Sequence, residues 1–169
     1  MSDEKRFKVL FLCTGNSARS ILAESLLRKT DRRRFESFSA GSNPKGEVHP
    51  LALRLLKEVY KIDASDARSK SWEEYRDVQF DFVITVCDDA RESCPYWPGQ
   101  PIVAHWGLPD PAAFAGPEAE RYALFKETGR VLARRIELFT NLPIEKLDRL
   151  RLEELTREIG DQAPVGPAR

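Results

Sequence analysis

Val9-Leu-Phe-Leu-Cys13-Thr-Gly-Asn-Ser-Ala-Arg19-Ser20 decides the fold. Val9 to Leu12 is an uninterrupted apolar run and reads as a buried strand. It stops at Cys13. After Ser20 the apolar residues Ile21, Leu22 and Leu26 recur at helical spacing. A cysteine and an arginine therefore bracket a five-residue loop, Thr14 to Ala18, between a strand and a helix. Such a loop gathers backbone N–H groups at the positive end of the following helix. That makes a cradle for a tetrahedral oxyanion out of Thr14, Gly15, Asn16, Ser17, Ala18 and Arg19, with the Arg19 guanidinium gripping two oxygens at once. The same field favours the thiolate of Cys13, placed to attack the anion's central atom. Gly15 permits a tight turn and Asn16 tolerates a left-handed backbone. The hydroxyl of Ser17 or Ser20 is in reach of the sulfur. A lone cysteine after a strand is ordinarily an inert core residue, and Cys-x5-Arg recurs by chance. The combination of strand, Gly- and Asn-bearing loop, arginine and helix is what selects the anion-binding reading.

Outward from this stretch, the chain alternates strands and helices. Phe7–Leu12 is the first strand and Ser20 to about Lys29 the first helix. Phe35–Ala40 alternates as a second strand, and Gly41 to Gly46 is a loop. A helix over Pro50 to about Tyr60 has Leu51, Leu55, Leu56 and Val59 as its buried stripe, with His49 before it as a structural or near-pocket residue. Trp72 to Arg76 is a short helix. Phe80–Val86 is a β-branched, apolar central strand ending on Cys87. Asp88 to Gly99 is a loop, Ile102–Ala104 a fourth strand, and Glu118 to about Phe139 the longest helix. This order predicts an α/β fold, a four-stranded parallel sheet with helices on both faces. Residues 1–142 form the domain. Residues 143–169 form a C-terminal extension, an amphipathic helix over 145–159 and then a Pro/Gly-rich disordered tail. In such sheets ligands bind at the carboxyl ends of the strands, where Cys13, Cys87 and Asp110 all fall.

The 27 basic and 27 acidic residues cancel, so nothing favours nucleic acid as a partner. No apolar stretch is long enough to span a membrane and no signal peptide is present, so a cytoplasmic location is expected. His49 and His105 have no Cys or His partners at ligand spacing, and no metal site is expected. Three cysteines, in a compartment that keeps thiols reduced, suggest a reactive set rather than a disulfide framework. Cys87 and Cys94 are joined by Asp-Asp-Ala-Arg-Glu-Ser, a polar segment without an apolar anchor. A thiol at Cys87 can attack a sulfur on Cys13, and the disulfide can pass to Cys94. Asp110, ahead of Pro111, is placed to protonate a leaving oxygen.

Cys-Thr-Gly-Asn-Ser-Ala-Arg-Ser (13–20), Ser-Ala-Gly (39–41), Val-Cys-Asp-Asp-Ala-Arg-Glu-Ser-Cys-Pro (86–95) and His-Trp-Gly-Leu-Pro-Asp-Pro (105–111) together resemble the low-molecular-weight protein tyrosine phosphatase superfamily, and within it the thioredoxin-coupled arsenate reductases. The resemblance implies that Arg19 clamps arsenate, Cys13 attacks arsenic while Asp110 acts as the acid, and Cys87 and then Cys94 resolve the adduct. It also implies that thioredoxin, or another thiol donor, returns the disulfide to thiols, with no metal or organic cofactor. The phosphatases share the first loop and the Asp-Pro but carry tyrosines after it, where this chain has Ala112 and Ala113. Many relatives have a fourth cysteine where this chain has Ala18. Some bind potassium behind the loop through residues matching Asn16, Glu24 and Ser39 and an aspartate, at which position this chain has Lys70. An ammonium there stands in for the cation, so no potassium dependence is expected. The other readings are a phosphatase acting on phosphotyrosine or a small phosphoester through Cys13, Arg19 and Asp110, and a non-catalytic oxyanion sensor.

Overall fold

The computed structural model describes residues 5–87 and 97–161. Four strands, β1 (Phe7–Cys13), β2 (Phe35–Gly41), β3 (Phe82–Thr85) and β4 (Ile102–His105), form one sheet in the order β2-β1-β3-β4, with every pairing parallel. Four α-helices are described: α1 (Arg19–Thr30), α2 (Pro50–Glu58), α3 (Glu118–Thr140) and α4 (Arg149–Asp161).

β1 is central because it is the most apolar strand. Val9, Leu10, Phe11 and Leu12 have no solvent exposure, as a strand covered on both faces requires. Phe35 and Phe82 stand against Phe139 of α3, with ring centroids 5.2 and 4.9 Å apart. The alternate residue Phe38 points to the other face. It meets Tyr75 of a 3-10 turn (Trp72–Tyr75) and Phe80. Rings buried in this way contribute about 2–3 kcal/mol each. α2 starts cleanly, with His49 capping it and Pro50 in its first turn, and Leu51, Ala52, Leu55 and Leu56 make its buried stripe. α3 has Glu118 and Glu120 at its positive end. Gly129 of α3 lets α2 approach closely, since a Cβ there would lie 2.9 Å from Leu55 Cδ2.

Three elements depart from expectation by two residues or more. The third strand is shorter than 80–86, because Phe80 turns aside into the aromatic cluster with Phe38, Tyr75 and Trp97 before the pairing begins. α2 ends at Glu58, two residues early, and Val59 is left exposed. The extension starts with a 3-10 turn (Ile144–Lys146), and its helix begins only at Arg149, where Asp148 accepts from Arg151 N–H at 2.8 Å. α4 lies along β4, the sheet's edge strand, with Leu152, Thr156 and Ile159 buried. Its Thr156 carbonyl accepts the Trp106 indole N–H at 3.0 Å. The tail expected to be disordered lies outside the described residues. No helix among the described residues is long and apolar enough to cross a membrane.

The chain leaves β1 for β2 on one side, then returns to β3 on the other. The strand order therefore reverses between β1 and β3, and their carboxyl ends frame a crevice. Cys13 ends β1, and Cys87 follows β3 by two residues.

Candidate active site

Residues 13–19 wrap around a pocket of about 300 Å3, lined by Cys13, Thr14, Gly15, Ser17, Ala18 and Arg19 together with Asn43, Lys45 and Asp110. A larger cavity, about 690 Å3, lies on the far side of Lys70 and contains no thiol. The loop's shape comes from Asn16, whose φ of 46° is the left-handed conformation expected of it. Gly15 does not share that conformation. At Gly15 the nearest neighbour is a side chain, since a Cβ there would lie 3.2 Å from Lys45 Cγ. Gly41 is tighter, with its Cβ position 2.5 Å from the Thr14 carbonyl oxygen.

The Cys13 sulfur is surrounded by donors. Asn16 N–H lies 3.2 Å from Sγ and Ser20 Oγ lies 2.9 Å from it. Asn16 Nδ2 donates to Ser20 Oγ at 2.7 Å, so the serine proton is left to point at the sulfur. Behind this pair, Asn16 Nδ2 also donates to Ser39 Oγ at 3.1 Å, and Ser39 Oγ donates to Glu24 Oε1 at 2.5 Å. Lys70 closes the network. Its backbone N–H donates to Asn16 Oδ1 at 2.8 Å, and its Nζ lies 3.4 Å from that oxygen, 3.0 Å from Ser39 Oγ and 2.9 Å from the Arg68 carbonyl. Burial pulls the Lys70 ammonium below its usual range, and Glu24, 3.8 Å away, opposes that. Ser20, Glu24, Ser39 and Lys70 are thus one hydrogen-bonded support under Asn16.

Arg19 NH1 donates to the Leu108 carbonyl at 2.8 Å, and NH2 stands 3.8 Å from Asp110 Oδ2. The other oxygen of Asp110 accepts from Ala112 N–H at 2.9 Å, which fixes the carboxylate over the pocket. Cys87 is a buried free thiol, its sulfur 3.4 Å from Thr14 Oγ1. Four of the five residues expected to be catalytic, Cys13, Arg19, Cys87 and Asp110, therefore gather at one end of the sheet. Cys94 lies outside the described residues.

Asn43 and Lys45 in the pocket wall were not singled out in the sequence. The available signal was the β1–β2 register, which pairs Cys13 with Gly41 and so carries the loop after Gly41 past the cysteine. His49 caps α2 through Nδ1, which accepts from Leu51 N–H at 3.0 Å, and its ring packs on Phe125. No group of three or more His, Cys, Asp or Glu placed to hold a metal occurs among the described residues.

A parallel α/β sheet that presents a cysteine, the loop that follows it, an arginine and an aspartate at its switch point defines a class of cysteine-dependent enzymes that act on tetrahedral anions. The chain belongs to the family described as low molecular weight phosphotyrosine protein phosphatase, whose model matches residues 8–151. Within that family it is similar to an arsenate reductase of Oceanobacillus iheyensis, 35% identical over 131 residues that cover 78% of this chain and 93% of the relative. Among solved structures, an arsenate reductase in the phosphate binding state is 29% identical with a TM-score of 0.65, covering 78% of this chain and 94% of its own. The thioredoxin-dependent arsenate reductase of Corynebacterium glutamicum is 30% identical with a TM-score of 0.54, covering 81% of this chain and 65% of its own.

Proposed function

We propose that this protein reduces arsenate to arsenite through a relay of three cysteines and takes its electrons from thioredoxin. The observation that carries the proposal is the second buried thiol at the anion loop, Cys87, against Thr14 beside the nucleophile. Hydrolysis of a phosphoester needs no such thiol.

Arsenate sits in the loop, its oxygens on the amides of residues 14–19 and on Arg19. The Cys13 thiolate attacks arsenic, and one oxygen leaves as water with the proton of Asp110. The Cys87 thiolate then attacks Cys13 Sγ. A Cys13–Cys87 disulfide forms as the sulfur–arsenic bond breaks, and the bonding pair stays on arsenic, which departs as arsenite. Cys94 attacks Cys87, releasing Cys13 and moving the disulfide to Cys87–Cys94. The dithiol of thioredoxin reduces that bond. Two electrons pass from thiols to arsenic in each turnover, and the scheme calls on no metal or organic cofactor. The relatives named as arsenate reductases, one of them thioredoxin-dependent, support this reading.

The test is arsenate-dependent NADPH oxidation with thioredoxin and thioredoxin reductase, in wild type and in Cys13→Ser, Cys87→Ser and Cys94→Ser. Turnover in wild type and loss in all three variants is expected. Hydrolysis of an aryl phosphate dependent on Cys13 and indifferent to Cys87, without arsenate turnover, would replace the proposal with a phosphatase.

A further inference from the structure

The loop from Ser42 to His49 runs beside the anion loop as a backbone ladder. Ser42 N–H donates to the Cys13 carbonyl at 3.2 Å, Asn43 to Thr14 at 2.9 Å, Lys45 to Gly15 at 2.9 Å and His49 to Ser17 at 2.8 Å. The backbone of Lys45 is therefore fixed against the anion loop. Its side chain is laid along Gly15, because a Cβ on that glycine would stand 3.2, 3.3 and 3.4 Å from Lys45 Cγ, Cε and Cδ. A stem guided over that length carries the ammonium to the pocket, whose wall Lys45 forms together with Cys13 and Arg19. The ammonium has no hydrogen bond or ion pair among the described residues.

The charge in the pocket calls for such a group. A doubly charged oxyanion above a thiolate presents three negative charges, while Arg19 supplies one positive charge and has NH1 donating to Leu108 and NH2 beside Asp110. Loop amides and a helix end add partial charge only. We propose that Lys45 is a substrate-binding residue. Its ammonium donates to an outer oxygen of the tetrahedral anion and selects for the doubly charged inorganic form. The inference rests on the proposed function only in that the pocket holds a tetrahedral oxyanion.

The experiment uses the full chain carrying Cys87→Ser and Cys94→Ser, in which Cys13 is the only thiol. Cys13 is alkylated with neutral iodoacetamide against rising inorganic phosphate, and the half-protecting phosphate concentration is read. Lys45→Met is expected to raise it about tenfold, the loss of one charge-assisted hydrogen bond. Lys45→Arg should restore most of the protection. Lys45→Met should melt at the wild-type temperature, because the side chain is exposed. With all cysteines present, the same substitution should raise the arsenate KM more than it lowers kcat. Half-protection within about twofold of the parent chain in Lys45→Met overturns the inference, as does a failure of phosphate to protect the parent chain. Protection that depends on Lys45, in a chain that does not turn over arsenate, overturns the arsenate reading and leaves this one standing.

Discussion

Lys70 has a side chain only 5% exposed. An ammonium so buried persists when its protons are all used, and here they reach Asn16, Ser39 and the Arg68 carbonyl. The charge fixes the Asn16 carboxamide, which fixes Ser20, which donates to the Cys13 sulfur. A monovalent cation at that point would have to displace a tethered one. The steady-state rate is therefore expected to be equal in sodium and potassium buffers, and a marked activation by potassium would contradict it. His49 gives a second prediction at this scale. Burial, and then Arg121 and Lys45, hold its pKa below 6.5, against a smaller opposing effect of Asp110. The unfolded chain takes up this proton first, so the stabilising contribution is complete above pH 6.5 and is lost as pH falls through the interval below it. His49→Asn keeps an acceptor for the Leu51 N–H and does not titrate. Between about pH 7 and about pH 5, the melting temperature of wild type should fall relative to that variant. A constant gap would remove the argument.

At the scale of elements, the contact of α4 with β4 is the most sharply constrained. A Cβ on Gly160 would stand 2.1 Å from the His105 carbonyl oxygen and 2.6 Å from Trp106 Cδ1, with backbone on one side and a buried indole on the other. Gly160→Ala must lift the end of α4, at a cost of about 1–3 kcal/mol. Thermal melting should show the drop, and an unchanged melting temperature would mean that α4 does not seat there in solution. The apolar positions 147, 150, 152, 155 and 159 announce this helix in the sequence, but not what it packs on. Leu150 is 69% exposed whereas Thr156 is fully buried. The helix meets a strand edge and an indole rather than a broad apolar face, and hydropathy does not encode that distinction. Phe80 misleads for a related reason, since an apolar residue before a strand looks the same whether it pairs or joins an aromatic cluster.

For the whole molecule, β4 would be an open edge without α4. Arg149 donates to the Gln100 carbonyl and Arg157 to the Val103 carbonyl, so backbone acceptors along that edge are occupied. A chain ending at Leu147 should expose them together with Trp106, and such edges pair with one another. Concentration-dependent association in size-exclusion chromatography is the expected result. A monomeric truncation with the wild-type melting temperature would show that the edge needs no cover. The parts of the site that could be read in the sequence are the contiguous ones. Cys13 and Arg19 lie in one loop, and Asp110 precedes a proline just after a strand. Lys45 and Asn43 depend on how separate segments lie side by side, whereas the Glu24–Ser39–Lys70 support, in which the anchor of Lys70 on Asn16 spans 54 positions, was legible only through the resemblance to the family's cation site.

The ladder between Ser42–His49 and the anion loop is made wholly of main-chain amides and carbonyls. The side chains of Asn43 and Lys45 can therefore be exchanged without breaking that ladder, and both line the pocket that receives the anion. Evolution has in this segment a place to retune which oxyanion is accepted while the nucleophile stays in register. A mutant library confined to positions 43 and 45 would start from the same freedom.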